Sequence, residues 1–210
     1  DVWMKLLLEN FRNFLLLEAA FSPEDLPEGV YVKLSQDTIS SGDMIVAELA
    51  DEDGRAFDEG EQIYGYVSAV KPKKAMHGPC LDAYIIGQTY AQSGWGPMMY
   101  DLAMELAGAN GLTPDRESLS KEAYSVWDYY LKSRSDVEAK QLDDLKNTIT
   151  GDEEDNCNPK SAGDHSKLVK YAPIKPLRKK GLTASPVMKA YVKKDKATLA
   201  ALEKLGKIKR

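Results

Sequence analysis

Hydrophobic and polar positions divide the chain into stretches of different period. Residues 30–34 alternate, residues 44–49 are β-branched and apolar, and residues 62–70 (QIYGYVSAV) alternate with aromatics, so all three are predicted strands. Asp51-Glu52-Asp53-Gly54 and Asp58-Glu59-Gly60-Glu61 between them read as solvated hairpin tips, since neither has the glycine and terminal glutamate of a calcium-loop register. Strands joined by such short tips suggest an antiparallel meander. A further strand over residues 81–89 carries the apolar run 83–87 and leads into the turn Ser93-Gly94-Trp95-Gly96-Pro97. Helical period follows over residues 98–107, and Asn110-Gly111 stops that helix before a short extended link. Ser118 or Ser120 can cap a second helix, in which Ala123, Val126, Trp127, Tyr130 and Leu131 fall at i, i+3, i+4, i+7 and i+8. Near the end, residues 168–174 and 187–192 read as short strands that complete the sheet, and residues 197–205 as a closing helix. Strands first, then strand–turn–helix, strand and helix, predict an α/β fold with a mixed, mostly antiparallel central sheet flanked by helices.

This order divides the chain into an N-terminal amphipathic helix over residues 1–20, a core over 21–147, a polar loop over 148–167 and a basic segment over 168–210. The 210 residues can bury one full core. Residues 2–20 are strongly apolar, but Glu9, Asn10, Arg12 and Asn13 interrupt them and leave no membrane span of about 20 residues. That helix is expected to pack on the domain or to self-associate with a partner. A chain start at Met4 is plausible, with Asp1–Trp3 left from upstream sequence. The net charge of −5 argues against a general nucleic-acid binder. In the basic segment the charge reads as a solvated face, or alternatively as an attraction for phosphates or an acidic partner. Cys80 and Cys157 lie far apart, and only His77 and His165 are present, which disfavours a zinc site or a Ser/His/Asp triad and fits reduced cytosol.

The turn carries the chemistry. A strand that stops at Gly94-Trp95-Gly96 and restarts as a helix presents backbone N–H groups at a helix N-terminus, where a phosphate can sit without a basic side chain. Glycine lets the backbone approach a ligand closely, and Pro97 suits the first helical turn, where its missing N–H costs nothing.

The blocks GWGPMMYDLAMELA and LTPDRESLSKEAYSVWDYY resemble the acetyl-CoA-binding core of the GNAT (Gcn5-related N-acetyltransferase) superfamily, over about residues 30–134. The likeness is nearest to GNAT-like proteins of tailed phages, and residues 6–9 and 15–18 resemble the Leu-x-x-Glu context of phage capsid-targeting peptides. The resemblance implies an acyl-CoA-dependent N-acetyltransferase acting on an unknown amine by direct attack, in host cytoplasm or a virion. Gly94 and Gly96 match its pyrophosphate loop, with Gln92, Ser93, Trp95 and Met98 beside them. Ala91 stands at its usual Gln/Arg position. Tyr84, Ile85 and Ile86 match the strand along the pantetheine arm. The tyrosine that protonates the departing thiolate falls on Trp127, so Tyr130, one turn on, is the first candidate acid and Tyr124 the second. Glu48, Asp82 and Tyr66 lie on strands that could supply a base. The alternative is a catalytically degenerate GNAT-fold protein with a virion, assembly or host-interaction role, which Ala91 and Trp127 favour.

Overall fold

The structure, a computed structural model, describes residues 20–53, 57, 58, 61, 62, 65–72, 83–92, 94–114, 121–141 and 186–209. The strands are β1 (Tyr31–Ile39), β2 (Gly42–Ala50), β3 (Phe57–Asp58), β4 (Glu61–Gln62), β5 (Gly65–Pro72), β6 (Tyr84–Ala91), β7 (Leu112–Thr113), β8 (Val137–Gln141), β9 (Lys189–Lys193) and β10 (Ile208–Lys209). The helices are α1 (Gly96–Ala107), α2 (Lys121–Ser133) and α3 (Ala197–Lys204). None of the described helices is long and apolar enough to cross a membrane.

Among the described residues, eight strands form one sheet in the order β10-β1-β2-β5-β6-β7-β9-β8, and β3 and β4 make a separate hairpin. β1, β2, β5 and β6 are the expected antiparallel meander. β6 then passes through α1 to β7, its parallel neighbour. β9 lies between β7 and β8 and is antiparallel to both, whereas β10 runs parallel to β1 at the far edge. The fold is thus α/β with a mixed, mostly antiparallel sheet.

Alternation along the strands separates two faces. Tyr191 of β9 packs its ring against Trp127 and Tyr130 of α2, and Lys193, two residues on, reaches Asp101 and Glu105 of α1 and Thr198 of α3. All three described helices therefore share one face. Ile45, Ala47, Leu49, Val67 and Ala69 point to that face and are buried beneath α1, which itself buries Met98, Met99, Leu102, Ala103 and Met104. A helix enclosed by a sheet and two other helices needs apolar residues nearly all round, and α1 has them.

Several boundaries differ from the sequence pattern. The β1–β2 hairpin runs to Ile39 and Gly42, through polar residues 35–38 whose side chains are exposed. β9 begins at Lys189, because Pro186–Met188 forms a 3-10 turn. β8 and β10 were not expected: VEAKQ carries helix-forming residues, and β10 is only two residues long. The expected helix over residues 1–20 (Ala20 apart), the capping serines 118 and 120, the loop over 148–167 and the strand over 168–174 lie outside the described residues. So do Cys80, Cys157, His77 and His165.

Candidate functional site

β6 and β7 pair over just two positions, Tyr84↔Leu112 and Ile85↔Thr113. β6 continues to Ala91 whereas β7 ends at Thr113, so from Ile86 onward β6 has no paired strand on that side among the described residues. The carboxyl ends of parallel strands are the usual ligand position in open α/β sheets, which makes the unpaired stretch of β6 the candidate position here. That unpaired stretch begins at a bulge: Ile86 faces Ala69 and Gln88 faces Ser68, so Gly87 has no counterpart on β5. A Cβ at Gly87 would lie 3.4 Å from Ser68 Oγ, which itself accepts the Gln88 N–H at 3.3 Å.

The chain then turns into α1. Trp95 N–H donates to the Gln92 carbonyl at 3.1 Å, closing a turn in which Gly94 has φ 93°, a left-handed conformation that favours glycine. The N-cap residue Trp95 makes no side-chain cap, and no acidic residue occupies the first turn of α1. Among the described residues, the amides of Gly94, Gly96 and Met98 have no backbone acceptor outside their own helix. A helix N-terminus carries partial positive charge and unpaired N–H groups, which makes this end of α1 the candidate position for an anion.

The structure divides the expected site residues. Gly94, Gly96 and the Met98 amide gather at the N-terminus of α1, with exposed Gln92 alongside, and Ser93 lies outside the described residues. Trp95 is withdrawn: its side chain is 5% exposed, and Phe21 covers it with ring centroids 4.6 Å apart. The Phe21 N–H also donates to the Gly94 carbonyl at 2.9 Å, so the segment before β1 seals the far side of the turn. Tyr84 and Ile85 fall where β6 and β7 are still joined, and Tyr84 N–H donates to the Gly111 carbonyl at 2.9 Å. The open edge is the later one, from Ile86 to Ala91. Pairing, which the sequence does not display, decides which end of a strand is free.

Comparison of the chain with protein-family models, curated proteins and solved structures finds no match.

Tyr130 does not face the unpaired stretch of β6 as a donor. It is 1% exposed, and its hydroxyl donates to Asp101 Oδ1 at 2.7 Å, with the Pro97 carbonyl 3.2 Å away. Burial, then the Asp101 charge, push its phenol well above the ordinary tyrosine value. Trp127 is equally enclosed, its ring centroid 5.1 Å from that of Tyr100 and 4.9 Å from that of Tyr191. Tyr124, one turn before Trp127, is half-buried. Of the base candidates, Glu48 and Tyr66 are Cα partners on the face away from the helices, and Asp82 lies outside the described residues. Another hydroxyl pair does lie on the open stretch of β6. Thr89 Oγ1 is 3.3 Å from the Tyr100 hydroxyl of α1, and burial raises the Tyr100 pKa against the opposing effect of that hydrogen bond.

Beneath this sits a charged network. Arg134 bridges Asp101, through contacts of 3.2 and 2.9 Å, and Asp136, through contacts of 2.7 and 2.5 Å. Burial works against the Arg134 charge, but the hydrogen bonds it donates to Asp136 and Asp101 outweigh that and hold the guanidinium above its ordinary value. Lys193 contacts Glu105 at 2.6 Å and Asp101 at 3.2 Å; there too the carboxylates overcome burial and raise the pKa. Glu105 also accepts the Thr198 and Leu199 N–H groups at 3.0 and 2.7 Å, capping α3 from another helix. The visible signal was Asp101 and Glu105 at i, i+4 inside an otherwise apolar helix, a spacing that places both on one side of α1.

Proposed function

We propose that the unpaired stretch of β6 binds an acyl-CoA-type thioester, with its diphosphate at the N-terminus of α1, and that the protein transfers the acetyl group to an amine as a GNAT-like N-acetyltransferase. The observation that carries the reading is the conjunction of the parted parallel strands with the uncapped α1 N-terminus at the same end of β6. Gly94, Gly96 and Met98 would offer backbone N–H groups to the diphosphate, reinforced by the helix dipole. The free edge of β6 beyond Ile86 would hold the extended amide arm, as an added strand is held. In the transfer, the amine nitrogen attacks the thioester carbonyl, the C–N bond forms, the C–S bond breaks, and the amine loses a proton to water or a base. The thiolate then takes a proton. The resemblance offers Tyr124 as the second candidate donor, after Tyr130, whose hydroxyl donates to Asp101.

Calorimetry with acetyl-CoA tests this. Heat of binding at or below about 1 mM is expected, and its absence removes the reading. A Gly96→Glu variant sharpens the test. A Cβ at Gly96 meets only the Ala91 Cβ at 3.8 Å among the described residues, so the position tolerates a side chain, and a carboxylate there would compete with an anion for the α1 N-terminus. Unchanged or slightly raised stability with lost binding is expected; retained binding would place the diphosphate elsewhere.

A second reading is supported by the enclosed Trp127 and the committed Tyr130: the cofactor binds without transfer, and the protein has a virion, assembly or host-interaction role. Binding with no thiol release across a panel of primary amines would favour it.

A further inference from the structure

Thr113 ends β7 at the last paired position before the strands part. It is fully buried, and its Oγ1 has no hydrogen-bond partner among the described residues. A buried hydroxyl without a partner costs stability, so one placed where the pairing of β6 with β7 ends calls for an explanation.

Its orientation follows from the register. Leu112 is the Cα partner of both Tyr191 and Tyr84, and Tyr191 points to the helix face. Thr113, the next residue, therefore points to the opposite face, together with its partner Ile85 and with Val70 beyond it. Ser68, two residues from Val70, shares that face, and its hydroxyl lies beside the side-chain-free Gly87 bulge. Three adjacent strands thus bring two hydroxyls and a bare bulge to the point where β6 and β7 separate. Thr113 has Ile85 as its partner on β6, with Val70 one strand further on, and it is fully buried, a setting in which an ionised group would be costly. A neutral hydrogen-bond acceptor suits it.

Resting on the reading proposed above, we infer that the Thr113 hydroxyl is a ligand-binding group that donates a hydrogen bond to the carbonyl oxygen of the bound acyl group. The diphosphate and the acyl carbonyl are then held by different strands, the first after β6 and the second by β7. Thr113 distinguishes an acylated carrier from the free thiol, which has no carbonyl to offer.

Wild type, Thr113→Val and Thr113→Ser are compared by calorimetry with acetyl-CoA and with CoA, and by thermal melting without ligand. Wild type is expected to bind acetyl-CoA about fivefold more tightly than CoA. Thr113→Val should lose that preference while keeping CoA affinity, and Thr113→Ser should retain it. Without ligand, Thr113→Val should melt at or above the wild-type temperature, because an unpartnered hydroxyl is exchanged for a methyl of similar shape. A Thr113→Val protein that keeps the preference, or that melts several degrees lower without ligand, overturns the inference alone. A wild type that binds neither compound removes both the inference and the function it rests on.

Discussion

Tyr130 shows how one side chain changes meaning between pattern and structure. By helical spacing it follows Trp127 on the same side of α2, which makes it a natural substitute for a missing acid. The fold instead closes its hydroxyl onto Asp101 and the Pro97 carbonyl, tying α2 to the first turn of α1. Tyr130→Phe should therefore destabilise the protein by about 1 kcal/mol in urea titration and leave turnover per folded molecule near wild type. A loss of thiol release at full stability would restore the catalytic role. Gly94 and Gly96 were legible in the sequence because a turn between strand and helix leaves a glycine mark. Thr113 was not, since nothing about a threonine in LTP announces a hydroxyl without a partner.

Among the elements, α3 depends most on a distant residue. Its N-terminal amides are capped by Glu105 of α1, whose side chain is fully buried and paired with Lys193. Breaking one member of a buried ion pair leaves the other uncompensated, so Glu105→Gln should cost about 3 kcal/mol. Denaturant unfolding measures that loss, and amide exchange in α3 should accelerate ahead of α1. The meander β1–β2–β5–β6 was readable because each strand alternates or is β-branched and polar tips separate the strands. β8, β9 and β10 were less so. β9 owes its place to both neighbours, Leu112 on one side and residues 137–141 on the other. β10 is held by the β1 edge and by Lys207 and Lys209, whose ammonium groups lie 5.2 and 4.2 Å from the centre of the Tyr31 ring. Those are tertiary decisions, which override weak local preference.

For the whole molecule, the charged network sets the response to pH. The hydrogen bond from Arg134 is the main cause holding Asp136 below the ordinary aspartate value. That group therefore contributes stability that is present above the ordinary value and is lost as pH falls through the depressed one. Lys193 acts in the other sense: its raised pKa gives a contribution complete below the ordinary lysine value and lost as pH rises through the folded one. Melting temperature against pH should decline at both ends. Asp136→Asn should flatten the acid limb and leave the alkaline limb as it was; an unchanged acid limb would refute the assignment.

The two-residue join between β6 and β7 has a mechanical consequence. Among the described residues it divides the sheet into two leaves, β10-β1-β2-β5-β6 and β7-β9-β8, joined over two paired positions and spanned by α1, which packs against β2 and β5 on one side and β9 on the other. Anything lodged in the gap would act as a suture between the leaves, so occupancy would be felt as stiffness across the full breadth of the protein.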